Sequence, residues 1–283
     1  MYKQFAAEIS TILSLPEVYL RLHELMDKPN SNAEELGSVI RHDPGLSVRL
    51  LKIVNSSFYG FPSKIDNLNR AITIIGIQEL ENLVLATTAS ATFNKIPSDL
   101  IDMSCFWHHS VYVGITAKLL AKSCELPHTD HMFAAGLLHD VGQLIIFHKA
   151  PREARMALQQ AQPTDDGLYQ AEKEVLGFSH GDVGAELFRV WKLPPIFAEV
   201  AAFHHEPRLA KNFILETAIV HLANSLANTL EPARNITECC SNCDPKAKEI
   251  IGLSEQALTN ILDETEAQFS DVIKIISPNA PLL

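Results

Sequence analysis

Apolar residues recur along this chain at three- and four-residue spacings, the period of helices that bury one face. Over residues 5–28 the apolar positions are Ile9, Ile12, Leu13, Val18, Leu20, Leu22, Leu25 and Met26, with an interruption at Pro16. Residues 29–32 are a stop followed by cap residues, and 33–40 reads as the next short helix. Asp43 is a good N-cap and Pro44 fits the first helical position. The helix from 44 to 55 then turns Leu46, Leu50, Leu51 and Val54 inward. The same period predicts helices over 68–75, 80–93, 106–124, 132–147, 152–162, 168–176, 178–191, 196–205 and 213–230. Two more segments, about 254–262 and 264–276, close the chain. No period-two stretch is long enough to support a sheet. The expected fold is all-α and two-lobed: an N-terminal helical lobe over 1–98, a helical core over 99–232 and a C-terminal helical extension over 233–283.

One segment breaks the pattern of apolar cores. Residues 134–145 read A-A-G-L-L-H-D-V-G-Q-L-I, so His139 and Asp140 stand side by side within an apolar run flanked by Gly136 and Gly142. Polar groups in such a run need partners. Each glycine costs about 1 kcal/mol against alanine in a helix. Close approach of another helix or of a ligand would account for both. A buried His–Asp pair satisfied by hydrogen bonds alone is the simpler reading of these residues in isolation. Other helices or helix ends offer His108 or His109, His180, His204, His205 and Asn224. Ligands spread over separate helices are how bundles build interior metal sites. Imidazole with carboxylate suits Zn, Fe, Mn or Ni about equally.

Composition narrows the classes. The chain has 283 residues, 47% apolar and 20% charged, which fits a globular protein with a sizeable core. A formal charge of −11 argues against unspecific binding to nucleic acid or anionic membrane. Helices 33–40 and 44–55 have helix-turn-helix spacing, with Arg41, Arg49 and Lys52 available to phosphate. Glu34, Glu35 and Asp43 neutralise them, so DNA binding ranks low. The N-terminus has no signal-peptide core, and no run approaches a membrane span. Five cysteines, an odd number, argue against a disulfide framework and for a cytoplasmic protein.

The ordered motifs resemble a known family. Phe106-Trp107-His108-His109-Ser110 followed by Gly136-Leu137-Leu138-His139-Asp140-Val141-Gly142 is similar to the HD superfamily of metal-dependent phosphohydrolases. The chain resembles, more narrowly, its bacterial signalling branch, the HDOD family. In the first lobe the resemblance is carried by Asp43-Pro44-Gly45-Leu46-Ser47, Leu50 through Ser56, and Phe58-Tyr59-Gly60. Further along it is carried by Leu176 through His180, Trp191-Lys192-Leu193-Pro194, His204-His205 and Val220 through Asn224. It covers most of residues 13–230.

The resemblance implies an HD-like helical core and a divalent-metal pocket of one or two ions (Fe, Mn, Zn, Ni or Mg). Its ligands would fall on His109, His139, Asp140, His180, His204, His205 and Asn224. His108, one residue from His109, would face about 100° away. Two positions depart from the hydrolytic pattern. Asn224 replaces the closing aspartate, and Gln143 stands where a lysine is common. A neutral amide cannot balance a dication as carboxylate does, and a missing cation removes a phosphate contact. A Gly-Tyr-Pro element is also absent after His205. The implied function is a regulatory module acting through signalling protein partners. The alternative is a phosphohydrolase with a nucleotide or cyclic-dinucleotide ligand. Cys105, four residues before His109, shares its helical face. Cys239, Cys240 and Cys243 lack a second pair for structural zinc. The aromatics Phe58, Tyr59 and Phe61 are expected at the lobe interface.

Overall fold

The computed structural model describes residues 2–3, 8, 15–26, 28, 32–94, 99–127, 129–164, 166–227 and 243–277. Among them every regular element is helical. The first lobe is α1 (Glu17–Met26), α2 (Ala33–Arg41), α3 (Pro44–Val54), α4 (Leu68–Ile75) and α5 (Ile77–Phe93). Helix starts follow the local chemistry. The side chains of Asn32, Asp43 and Asn67 each accept backbone N–H groups from the first turn of α2, α3 and α4. Helix α5 buries Leu80, Leu83, Val84, Leu85 and Ala86 around its circumference. Such all-round burial marks a helix enclosed by neighbours: α5 touches the first lobe, the core and the C-terminal helix.

The core comprises α6 (Met103–Ser123), α7 (Met132–Leu138), α8 (Val141–Lys149), α9 (Pro151–Gln160) and α10 (Gly167–Leu176). It continues with α11 (His180–Val190), α12 (Pro195–Phe203) and α13 (Ile214–Ala227). The C-terminal helices α14 (Pro245–Ile251) and α15 (Glu255–Ile276) follow. Helix α6 is the axis, packed by α7, α13 and α15. The lobes meet where Phe58 contacts Phe133 at 4.9 Å and Lys118 lies 4.2 Å over the Phe58 ring. Lys118 and the Tyr59 hydroxyl both bond the buried carboxylate of Glu79.

Two segments are divided differently from the sequence pattern. The apolar run over 132–147 is two helices, broken at His139 and Asp140. The two expected segments at 254–262 and 264–276 are one continuous helix, α15. Asp263 and Glu264 lie on its exposed side, so they do not interrupt it. This helix runs between the lobes: Asp271 accepts from the Ser57 hydroxyl at 2.9 Å, and Thr265 meets Thr116 at 3.2 Å. Among the described residues no helix is long and apolar enough to cross a membrane. Cys105 and Cys124 are free thiols, and Cys243 is buried. Cys239 and Cys240 lie outside the described residues, as do residue 98 and the boundary at 232–233.

A candidate metal centre

The glycines around His139-Asp140 set the site. A Cβ on Gly136 would stand 2.9 Å from Gly114 Cα, and one on Gly142 would stand 2.0 Å from the His180 carbonyl oxygen. Both positions therefore require glycine: the first lets α7 lie against α6, the second lets α8 lie against α11. Helix α6 brings His109, and α11 brings His180 as its first residue. Ser179 fixes that start as N-cap of a capping box with Asp182. His204 and His205 follow the end of α12, where the His204 N–H still bonds the Val200 carbonyl at 2.9 Å.

Asp140 faces two groups of imidazoles, one with each oxygen. Oδ1 is 3.1 Å from His180 Nε2 and 3.4 Å from His204 Nε2. Oδ2 is 3.3 Å from His139 Nε2 and 3.9 Å from His109 Nε2. His205 completes the first group, its Nε2 3.1 Å from that of His180. Potential ligand atoms of Asp140, His180, His204 and His205 thus lie within 4.8 Å of one another, as do those of His109, His139 and Asp140.

The outer faces of the rings settle their roles. His139 Nδ1 donates to the Gly136 carbonyl at 2.7 Å and His204 Nδ1 to the Ala201 carbonyl at 2.9 Å. A carbonyl only accepts, so these Nδ1 atoms carry the proton. His180 Nδ1 meets Glu172 Oε2 at 2.6 Å, and His205 Nδ1 meets Asp166 Oδ1 at 2.6 Å. With Nδ1 protonated, each neutral ring turns an Nε2 lone pair inward, the arrangement of metal-ligating histidine with its second shell. His139 Nε2 and Asp140 Oδ1 are buried without a hydrogen-bond partner. His180 Nε2 and His204 Nε2 stand 3.4 Å apart. Inward Nε2 atoms crowded together and a carboxylate oxygen without a hydrogen-bond partner are what a bound cation would satisfy. The donor set therefore fits a divalent metal.

Electrostatics favours the ligating state of two rings. Burial pushes His204 down to about 4. Burial, with neighbouring His204 and His180, holds His205 well below the usual histidine range. Burial opposes the charged form of His180 as well, but Glu172 and then Asp140 overcome it and raise that ring to about 10. For Asp140 burial alone would raise the carboxyl; His139 and His180 reverse this and hold it well below the usual carboxylate range. One proton on His180 would serve Asp140 Oδ1 and leave the inward atoms of His139, His204 and His205 without a counterpart.

The structure brings six of the seven expected residues together: His109, His139, Asp140, His180, His204 and His205. Asn224 is buried on α13, one turn beyond His221, and its amide makes no hydrogen bond to those six residues. His108 faces away from the centre against the Phe269 ring, 5.4 Å between centroids. Four positions outside the expected ligand set support the site. Glu172, fully buried on α10, accepts both the backbone N–H of His180 at 2.7 Å and its ring. Asp166 holds His205, on which Tyr169 stacks at 4.6 Å. His221 Nδ1 donates to the His204 carbonyl at 2.7 Å, and its Nε2 accepts the Asp244 N–H at 2.9 Å. Tyr169 and Glu172 share the buried face of α10 at three-residue spacing. A carboxylate on that face is the signal that could have found Glu172.

Comparison with known proteins is consistent with this geometry. A profile of the HDOD domain matches residues 12–207. An uncharacterised protein of Treponema pallidum (strain Nichols) is 24% identical over 202 residues, which are 71% of this chain. The chain spans only 39% of that relative's length. Among solved structures, a candidate phosphohydrolase of Shewanella amazonensis SB2B superposes with a TM-score of 0.76 at 22% identity. That match covers 96% of this chain and 98% of the other. A candidate signal transduction protein of Marinobacter aquaeolei VT8 superposes with a TM-score of 0.70 at 18% identity, over 95% of this chain and 60% of the other. At these identities the likeness is one of fold.

Proposed function

The chain belongs to the HDOD family, and from that premise we propose that it is a cytoplasmic signalling module whose histidine–aspartate centre holds a divalent metal without turning over a substrate. The observation that carries the metal is the convergence of inward Nε2 atoms on the two oxygens of Asp140, with the outer nitrogens of His139, His180 and His204 each held by an acceptor. His109, His139, Asp140, His180, His204 and His205 would hold it. A bound dication supplies fixed positive charge and Lewis acidity in a buried setting.

The chain's own residues do the rest. Glu172 and Asp166 orient His180 and His205. The Gly136 and Ala201 carbonyls fix the tautomers of His139 and His204. His109 stands at the mouth, with 29% of its side chain exposed. A regulatory role is supported by Asn224, neutral and unbonded to the centre, and by Gln143, which brings no cation. The signal would pass to protein partners, in keeping with the signal transduction protein of similar fold.

A second reading is hydrolysis of a nucleotide or cyclic-dinucleotide phosphodiester. The intact set of five imidazoles and one carboxylate favours it. A phosphodiesterase and nucleotidase panel with Mn, Fe and Mg separates the two. The expected result is no metal-dependent turnover. Turnover that disappears in His139→Ala would overturn the regulatory reading.

A further inference from the structure

Asp140 divides the centre into two halves that are not equivalent. On the side of Oδ1 four donors meet: that oxygen and the Nε2 atoms of His180, His204 and His205. On the side of Oδ2 three histidine or carboxylate donors meet among the described residues: that oxygen and the Nε2 atoms of His109 and His139. Four protein ligands close a zinc-type site and make its ion structural, whereas three leave a coordination position open.

The Oδ1 half already has ligand spacing. His180 Nε2 stands 3.1 Å from Asp140 Oδ1, 3.1 Å from His205 Nε2 and 3.4 Å from His204 Nε2. Oδ1 is also 3.4 Å from His204 Nε2. Bonds of about 2.0–2.1 Å to a tetrahedral ion set neighbouring donors about 3.3–3.4 Å apart. Oδ1 is buried without a hydrogen-bond partner, so the short approaches do not satisfy it. Two further carboxylates stand behind this half, Glu172 on His180 and Asp166 on His205. Outer carboxylates raise the basicity of a ligating imidazole and add negative charge near a dication. His180 and His204 are each 1% exposed, which shields this half from water.

The Oδ2 half is looser. His139 Nε2 lies 3.3 Å from Oδ2, but His109 Nε2 lies at 3.9 Å and its side chain is 29% exposed. His139 is backed by a neutral carbonyl instead of a carboxylate. Its Nε2 is still buried without a partner, so this half also holds an atom that an ion would satisfy. We propose that the centre is two unequal metal sites: a closed one at Oδ1 that keeps a structural ion, and an open one at Oδ2 that takes up a second ion exchangeably. Free divalent cation is then the small ligand that this module registers. The inference rests on the metal-holding reading of the centre and adds which half holds which ion.

Calorimetric titration of the chelator-stripped full chain with Zn²⁺ tests it. The parent should take up two ions in resolved steps, the second weaker by on the order of 100-fold, at least the scale of losing an outer partner. His109→Ala, at the exposed mouth, should remove the weak step and leave the tight one unchanged. Asp166→Asn, in the loop before α10, should weaken the tight step roughly 10–100-fold through His205 and leave the weak one. The proposal is overturned if only one ion binds, if the two bind with equal affinity, or if His109→Ala weakens the tight step. It is also overturned if Asp166→Asn acts on the weak step alone. A parent that takes up no Zn²⁺ overturns the metal-holding reading as well, whereas tight uptake in the His109 half overturns this inference only.

Discussion

Gly142 and His180 are in direct contact, and there is no room between them for a methyl group: a Cβ on Gly142 would stand 2.0 Å from the His180 carbonyl oxygen. Two residues before Gly142, Asp140 reaches His180 Nε2 at 3.1 Å. The closeness of α8 to α11 and the geometry of the centre are therefore one property. Gly142→Ala must separate the helices. Overpacking of this kind costs about 1–3 kcal/mol, to be read from denaturant unfolding. The same variant should lose bound metal. Stability and metal content both equal to the parent's would contradict this account of the glycine.

Glu172 acts on the centre only through His180. Its Oε2 takes the backbone N–H at 2.7 Å and Nδ1 at 2.6 Å. Glu172→Gln keeps the shape and removes the charge that orients the ring and raises its basicity. Loss of such an outer partner costs roughly 10–100-fold in metal affinity. Titration with Mn or Zn should show that loss with helical content unchanged. An unaltered affinity would mean that the carboxylate is only a packing element.

Much of this was legible in the residues. Asp43 caps α3 and Ser179 caps α11 through local side-chain chemistry that needs no tertiary partner. The two glycines beside His139-Asp140 pointed to close approach, and a helix supplies it in both cases. The break between α7 and α8 was not legible, because the apolar run continues through it on both sides. Asp166 was hidden for another reason. Its partner His205 lies 39 residues away, and nothing local to the loop before α10 marks it as a ring acceptor. Long-range outer-shell pairs of this sort are set by helix packing and leave no spacing to read.

Glu199 ties α12 to the start of α13. Its Oε1 accepts the backbone N–H groups of Lys211, Asn212 and Phe213 at 2.6, 2.7 and 3.1 Å. Burial alone would raise this carboxyl, but the hydrogen bonds from Asn212, Phe213 and Lys211 outweigh it and hold Glu199 below the usual glutamate range. A depressed carboxyl contributes stability above its unfolded pKa and loses it as pH falls through the folded value. Unfolding free energy should therefore fall with acidification below the ordinary glutamate pKa of about 4.3. In Glu199→Gln that part of the acid dependence should be missing. Identical pH profiles for parent and variant would show that the loop is held by something else.

Elemental analysis of the purified full-length protein, after removal of loosely bound ions, is the most direct measurement. The predicted result is one or two divalent ions per chain, lost in Asp140→Ala, since both oxygens of that carboxylate face the imidazole groups. A metal-free protein that also takes up no Mn, Fe, Zn, Ni or Mg, and gains no thermal stability from them, would contradict the central claim.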